Sequence, residues 1–381
     1  MRKLAACLLM IVLVSALLGG CWNYRSHSDV SITSGIAVDR DPESGLYHLS
    51  FEIVDLTGPV MKEGIISRLI ESDGRTLFDA VRNVKKRIVN KVFFGHMELV
   101  VFSDELLRNA DISSLIDFFL RDAECRETMC VAVSKEPKAK DLLVIQGIGE
   151  PMVAYEIRSI IEEDHNVTGS TTFIELYEVY NTLKGQGKEL VLPAFSNTVN
   201  DGEPASEANG IAVFKGERLA GYLTPEESKY FLFVVNQLKG GVITCSSKGR
   251  GEPEDITLEI SDNQTKLSFD NDGGQITINV ETETDTYLNE SDQPMDALDP
   301  AAIQAVELIA AQKVMQGICD VIIRVRTDYN SDIFGFGNLI YRQKPKLWET
   351  MADRWDQIFP ELAVNVKCKV NIVNTASLKT S

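Results

Sequence analysis

The sequence lacks the motifs and the long apolar segments that mark many enzymes and membrane-spanning proteins. It has four histidines in 381 residues, with no HExxH pair and no paired CxxC motif to hold a metal. A GxSxG nucleophile elbow and a complete phosphate-binding loop are also missing. Beyond residue 18, no apolar run is long enough to cross a bilayer. We therefore expect no enzyme activity, no catalytic residue, and no metal or cofactor site.

Basic residues are scarce relative to acidic ones. The chain carries 38 Lys and Arg against 56 Asp and Glu, a formal charge of −18 at pH 7. A surface of this sign repels phosphate groups, which argues against nucleic acid or an anionic lipid face as a partner. One basic run, Lys85-Lys86-Arg87, is interpreted as the solvated side of a helix. Contact with an acidic partner surface is the alternative.

The seven cysteines do not follow the spacing of a disulfide framework. Cys7 and Cys21 lie near the amino terminus, and an odd, irregular set remains. Cys368 alternates with valine and isoleucine, as a side chain on a buried strand face does. We interpret the remaining cysteines as small apolar side chains rather than functional thiols. They are Cys125, Cys130, Cys245, Cys319 and Cys368.

The amino-terminal end has the pattern of a lipoprotein signal peptide. Arg2 and Lys3 precede the apolar stretch 4–18, which is short for a membrane span. Leu18-Gly19-Gly20-Cys21 then resembles a lipobox. We predict that residues 1–20 are removed and that Cys21 becomes the first residue of the mature chain and its lipidation site. An ordinary signal peptide followed by an incidental cysteine is the alternative.

Hydrophobic periodicity divides the remaining chain into segments and predicts an α+β fold. We expect a multi-domain ectodomain of mixed, largely antiparallel sheets with packed helices. Residues 22–150 are predicted to form an N-terminal α/β domain, and 151–198 a helical segment that is either a second domain or a continuation of the first. Residues 199–209 are polar and read as a linker. Residues 210–374 are predicted to form a C-terminal α+β domain.

Local signals are sharpest in this C-terminal segment. A hairpin is predicted around residues 215–217, and Thr224 begins a helix with Pro225 at its first position and Glu227 completing a capping box. Residues 256–287 read as strands with turns at 261–264 and 271–274. Long helical patterns follow from Pro300 and over 345–358, and alternating apolar residues predict a final strand. In the N-terminal segment, residues 76–90 are predicted to be one helix.

Three further patterns have structural interpretations. Gly185-Gln186-Gly187-Lys188 resembles a fragment of a phosphate loop but lacks its remaining residues, so a polar turn is preferred. Gly335-Phe336-Gly337 has no surrounding dinucleotide-binding pattern and is read as a backbone link between helices. Trp348 and Trp355, seven residues apart, are read as core side chains rather than a cofactor box.

Four patches in the chain resemble the Ger(x)C proteins, the lipoprotein C subunits of nutrient germinant receptors. In chain order they read GCW followed by ITSGIAVD, then LIDFFLRDAECR, then NGIAVFKGERLAGYLTPEE, and finally DIFGFG with KPKLW and RWDQIFP. They occupy residues 20–39, 115–126, 209–227 and 332–360. The chain departs from the family after Trp22, where members more often carry an acidic residue and this sequence has asparagine.

The resemblance implies a receptor subunit without catalytic residues. It implies assembly with an integral membrane A-type subunit and a permease-like B-type subunit at the outer face of the spore inner membrane. Direct nutrient binding would then belong to the permease-like subunit. The main alternative is a solute-binding lipoprotein of a transporter, although the mixed strands do not read as two similar βαβ lobes. A lipid-anchored hydrolase is a third reading, without a recognisable catalytic set.

Overall fold

Two β-sheets with helices packed against them make up the fold, which is a computed structural model. It describes Met10 and residues 30–55, 66–145, 149–247, 255–291 and 300–375. Apart from Met10, the predicted signal peptide 1–20 lies outside the described residues, and so does Cys21. The lipidation prediction therefore stays a prediction.

The strands of the described chain alternate with short helices in its first half. They are β1 Val30–Arg40, β2 Tyr47–Asp55, β3 Ile66–Gly74, β4 Lys91–Phe93, β5 Leu99–Ser103, β6 Cys130–Ser134, β7 Val191–Asn200, β8 Glu203–Lys215, β9 Arg218–Leu223, β10 Val242–Cys245, β11 Ile256–Asp272, β12 Gln275–Ser291 and β13 Ala363–Thr375.

Within the described ranges the α-helices are mostly short, and α8 is the longest. They are α1 Leu77–Asn83, α2 Asp104–Asn109, α3 Ile112–Arg121, α4 Lys140–Val144, α5 Val153–Val167, α6 Leu176–Lys184, α7 Pro225–Val234, α8 Pro300–Arg324, α9 Phe336–Gln343, α10 Pro345–Glu349 and α11 Trp355–Ile358. Single turns of 3₁₀-helix follow α1 at Val84–Lys86 and flank α11, and a π-helical turn, Val325–Tyr329, ends α8.

The large sheet has the order β3-β2-β1-β5-β6-β7-β8-β9, with β4 beside the start of β1. Its centre is parallel, and every residue of β5 and β6 is buried. Parallel strands covered on both faces carry such continuous apolar runs, and α3 lies over one face while α5 covers the other. Antiparallel strands complete both edges, so the predicted mixed, largely antiparallel α+β class is confirmed.

The predicted linker 199–209 is paired sheet in this structure. It lies in the hairpin between β7 and β8, where Thr198 pairs with Ala205 and Asn200 with Glu203. Asp201 and Gly202 form the turn with positive φ angles of 51° and 85°. The polar composition therefore marks an exposed hairpin tip, because outward-facing strand residues and turn residues are both polar.

The small sheet has the order β10-β11-β12-β13, and α8 packs across it. The predicted turn at 271–274 is confirmed at Gly273 and Gly274, whose φ angles are positive. A turn at 261–264 is wrong, since β11 continues through it with only a register shift between Ile260 and Asp262. A bulge keeps the strands paired while adding a residue, and it carries the same polar pattern as a turn.

Helix signals are confirmed where a capping residue fixes them. The Thr224 hydroxyl accepts from the Glu227 amide at 3.3 Å, and the Glu227 carboxylate accepts from the Thr224 amide at 2.8 Å. Two predicted helices are shorter than expected. The 76–90 pattern forms α1 and one 3₁₀ turn, and the 345–358 pattern breaks into α10, a 3₁₀ turn and α11.

The large sheet and the small sheet, each with its helices, form two domains that share an apolar core. The cluster under the small sheet takes in α7 and α8 together with Val191, Ile211 and Val213 of the large sheet. Contacts of this kind hold the sheets in one arrangement, and they place the loop after α6 against the turn that precedes α9.

Candidate functional site: the junction between the two domains

The loop between α6 and β7 lies directly on the turn between α8 and α9. We call the two segments, Gly185–Glu189 and Asp332–Asn338, the interdomain junction. The Asn338 amide donates to the Gly187 carbonyl oxygen at 2.6 Å, and the Glu189 amide donates to the Asp332 carbonyl oxygen at 3.0 Å. The Asn338 side chain adds a bond to the Gln186 carbonyl oxygen at 2.8 Å. The junction is therefore held largely through backbone groups.

Glycines allow the two backbones to approach this closely. A Cβ atom at Gly187 would lie 2.4 Å from the Gly337 carbonyl carbon, and one at Gly337 would lie 2.9 Å from the Gly187 Cα atom. Gly187 also has a φ angle of +68°, which other residues rarely adopt. The segment Gly185–Lys188, which resembled a phosphate-loop fragment, therefore lets the backbones of the two domains pack against each other.

Asp332 organises the turn on the other side of the junction. Its side chain is buried and accepts from the amides of Gly335 at 2.9 Å, Phe336 at 3.0 Å and Gly337 at 2.7 Å. A fourth bond comes from Trp355 Nε1 at 3.0 Å. Burial raises the pKa of Asp332 to about 6, and the four donors oppose that rise.

The two tryptophans pack on this turn, as the sequence predicts. Their rings meet edge to face with centroids 5.2 Å apart, and both side chains are buried. Trp348 Nε1 donates to Gln186 Oε1 at 2.7 Å, so it also bonds across the junction. The core interpretation of Trp348 and Trp355 is confirmed, although both also hold polar partners.

A cavity of about 370 Å³ opens beside the junction, lined by Lys188, Trp348 and Trp355 among others. The Lys188 stem lies over Gly335, where an added Cβ would be 3.3 Å from its Cδ atom. Burial lowers the pKa of Lys188, and the nearby Asp332 carboxylate opposes this. Lys188 is therefore a half-buried cation near the Asp332 carboxylate.

Sequence reasoning did not anticipate the importance of Asp332. The available signal was the spacing Asp332-x-x-Gly335-Phe336-Gly337, because an aspartate can accept the amides that follow it in a tight turn. The link predicted at Gly335–Gly337 is confirmed only in part: Gly335, with a φ angle of +76°, precedes α9, whereas Phe336 and Gly337 are the first two residues of that helix.

The other candidate side chains stay apart. His48 bonds Asp73 at 2.7 Å, and His165 is buried beside the Thr171 carbonyl group. The five cysteines of the described chain form no disulfide with one another. Cys130 and Cys245 are buried as predicted, whereas Cys125, Cys319 and Cys368 are half-buried. Burial raises the pKa of Cys130 to about 12, which leaves its thiol unreactive.

Metal-binding clusters and membrane-spanning helices are both absent from the described ranges. Within the ranges given above, no group of three or more His, Cys, Asp or Glu side chains could hold a metal ion. Nor does any helix in those ranges have the length and apolar character needed to cross a membrane.

Comparison with known proteins decides the family. Residues 23–197 match the family described as Spore germination protein N-terminal domain, and residues 209–376 match Spore germination B3/ GerAC like, C-terminal. The chain belongs to the Ger(x)C family of spore germination proteins. The boundary between the two matches falls at the β7–β8 hairpin.

Several Ger(x)C relatives match over nearly their full length. Spore germination protein KC of Bacillus subtilis (strain 168) is 25% identical, covering 98% of this chain and 96% of its own. Spore germination protein B3 of the same organism is 21% identical over 93% of this chain and 94% of its own. The crystal structure of the GerBC protein matches with a TM-score of 0.59 at 18% identity, covering 89% of this chain and 97% of that one. The last match shows the shared fold.

Proposed function

We propose that this Ger(x)C protein is a non-enzymatic lipoprotein subunit of a spore nutrient germinant receptor. It would assemble with integral membrane A-type and B-type subunits at the outer face of the spore inner membrane. The observation that carries the proposal is the match to germination proteins along almost the whole chain, on both sides of the interdomain junction.

The chemistry of the junction supports a structural role for its ionisable side chains. Both Asp332 oxygens are occupied by donors of the protein itself, and Lys188 lies near that carboxylate. A catalytic acid or base needs hydrogen-bond access to a substrate. The junction instead fixes the angle between two domains, as a subunit that holds partners in position requires.

The membrane attachment is proposed to come from Cys21. A diacylglyceryl group supplies two acyl chains, and each buried CH₂ contributes about 0.8 kcal/mol, which is enough for stable anchoring. Cys21→Ala removes the thiol without changing the described fold. The variant precursor should carry no fatty acid and escape signal processing, measured by metabolic labelling with palmitate and by mass spectrometry. Normal labelling and processing of Cys21→Ala would contradict the anchor.

Assembly can be tested by isolating the tagged protein from spore membranes. Two integral membrane proteins, one of them permease-like, should co-purify in constant ratio with the wild-type chain. Gly187→Ala tests whether this co-purification depends on the interdomain junction, because the added Cβ separates the junction backbones. Gly216→Ala is its matched control, since a Cβ there meets nothing within 4 Å at a similar φ of +59°. Purification of the chain without integral membrane partners would contradict the proposal.

The solute-binding alternative makes a different prediction for the junction cavity. A ligand present at one hundred times its dissociation constant would stabilise the fold by about 2.7 kcal/mol. Amino acids, sugars and nucleosides at millimolar concentration should leave the melting midpoint of the chain from residue 22 onward unchanged. A saturable upward shift with one compound, lost in Lys188→Met, would favour the solute-binding function instead.

A further inference from the structure

A second cavity, of about 600 Å³, lies on the domain of the large sheet. Its wall is built by the end of β1, the start of β2, the start of α1 and the helix α3. None of its lining residues belongs to the interdomain junction. We call it the arginine-aromatic groove, because its lining includes Arg40, Arg75, Arg121, Tyr47, Phe78 and Phe118.

The groove accounts for part of a sequence patch that core packing leaves unexplained. Residues 115–126 are one of the four patches that resemble the Ger(x)C proteins. The fully buried side chains of this patch pack in the core of the large sheet. Asp117 and Arg121 are exposed and Phe118 is half-buried, and all three line the groove. The patch therefore builds a surface feature as well as part of the core.

Aromatic side chains leave apolar surface open at the groove. Phe78 on α1 is 52% exposed, and the Arg82 guanidinium lies over its ring at 4.7 Å from the centroid. Tyr47 and Phe118 are half-buried, and the Arg40 guanidinium lies over the Tyr47 ring at 5.3 Å. Apolar surface that is grouped in this way, rather than scattered singly, is typical of a binding site.

Two arginines of the groove have no carboxylate partner within the described ranges. Arg40 Nε donates to the Gly45 carbonyl oxygen at 3.0 Å, and the Arg75 side chain forms no hydrogen bond or ion pair there. Both side chains are exposed. The basic run 85–87 is also exposed, as predicted for the solvated side of a helix, but it does not line the groove. The two guanidinium groups are therefore available to bind a carboxylate from outside, which their planar fork fits well.

The acidic side chains at the groove are already engaged. Asp117 pairs with Arg121 at 2.6 Å. Asp122, which also lines the groove, and Asp41, in the turn after β1, each accept from backbone amides two or three positions further along the chain. Glu43 in the same turn is not part of the lining. These carboxylates therefore leave the two unpaired guanidinium groups open.

We propose that the arginine-aromatic groove is the docking site for a receptor partner, through a segment that combines a carboxylate with a large apolar side chain. The carboxylate meets Arg40 and Arg75, and the apolar side chain packs on Phe78 and Phe118. Arginine and aromatic residues are enriched in protein interfaces and lysine is depleted, and none of the described lining residues is a lysine. Charge complementarity selects an acidic occupant. The inference rests on the proposed assembly with membrane subunits and adds the surface through which it occurs.

Photocrosslinking in the assembled receptor tests this contact. Phe78 is replaced by p-benzoylphenylalanine in the full-length, lipidated chain, spores are irradiated, and the adducts are identified by mass spectrometry. The adduct should join position 78 to a peptide of a co-purifying membrane subunit, and that peptide should carry Asp or Glu beside a large apolar residue. The same replacement at Tyr341, which is 39% exposed on α9, is the matched control and should give little adduct.

Charge variants test the chemistry of the groove. Arg75→Glu should lower the adduct yield by about tenfold or more, because a like-charge contact replaces an attractive one. Arg75→Lys keeps the charge but loses the planar fork, so it should lower the yield less. Arg342→Glu, at an exposed position on α9, is the control and should leave the yield unchanged. Replacing the acid found in the adduct by arginine should restore the yield in Arg75→Glu. An unchanged melting midpoint for Arg75→Glu shows that the loss is not unfolding.

The outcomes separate this inference from the proposed function. A chain that purifies without membrane partners contradicts the proposed function, and the docking with it. Partners that co-purify without an adduct at position 78, or with a yield that Arg75→Glu does not change, contradict the docking alone. An adduct to lipid, to the chain itself or to a peptide without an acidic side chain also overturns the assignment of the groove.

Discussion

Trp355 offers the most direct test of how the interdomain junction is held. Its ring packs against Trp348 and lies 6.4 Å from the Phe359 ring, while its indole N–H bonds Asp332. Trp355→Ala should lower the free energy of unfolding by about 3–5 kcal/mol, the range for a large buried aromatic. Trp355→Phe keeps most of the packing and removes the donor. It should cost about 1.5–3 kcal/mol, typical of a hydrogen bond to a charged group.

Denaturant unfolding, followed by circular dichroism and tryptophan fluorescence, measures both changes. Tyr341→Ala is the matched control, because this aromatic side chain on α9 is 39% exposed. It should cost less than about 1 kcal/mol, as surface substitutions usually do. The reasoning is refuted if Trp355→Ala behaves like Tyr341→Ala, or if Trp355→Phe is as costly as Trp355→Ala.

Three further predictions concern single side chains. The pKa of Asp332 is raised to about 6, so this carboxylate binds a proton more tightly in the folded chain than in the unfolded chain. Its contribution to folding, up to about 3 kcal/mol, is therefore largest below the unfolded pKa and is lost as the pH rises through 6. The unfolding free energy of wild type minus that of Asp332→Asn should therefore grow between pH 7 and pH 5, and a difference that shrinks contradicts the shift. Thr224→Ala should cost about 0.5–2 kcal/mol in denaturant unfolding, whereas Thr224→Ser, which keeps the hydroxyl acceptor for Glu227, should cost far less; equal losses would rule out the cap. Gly187→Ala should lower the melting midpoint by several degrees through contact with Gly337, and an unchanged midpoint would show that the loop can move away.

Local elements were predictable wherever one interaction fixes them. The Thr224 capping box, the Gly273-Gly274 turn and the apolar stripe of α8 each depend on neighbours in sequence, and all three are confirmed. The errors fall where pairing decides the outcome. Polar residues 199–209 and 261–264 resemble connecting segments, but each has a strand partner that the composition does not reveal.

The sequence alone determined the α+β class and the family, because periodicity and ordered motifs are written along the chain. It also carries the prediction of a lipid-anchored subunit through Cys21. Tertiary structure decided which distant residues meet. Gly187 and Gly337 lie 150 positions apart and touch only because the two domains share a core, and that contact makes Asp332 a buried organiser of the junction. It likewise placed β4 beside the start of β1, since the parallel pairing of these two strands is a long-range choice that no local pattern encodes.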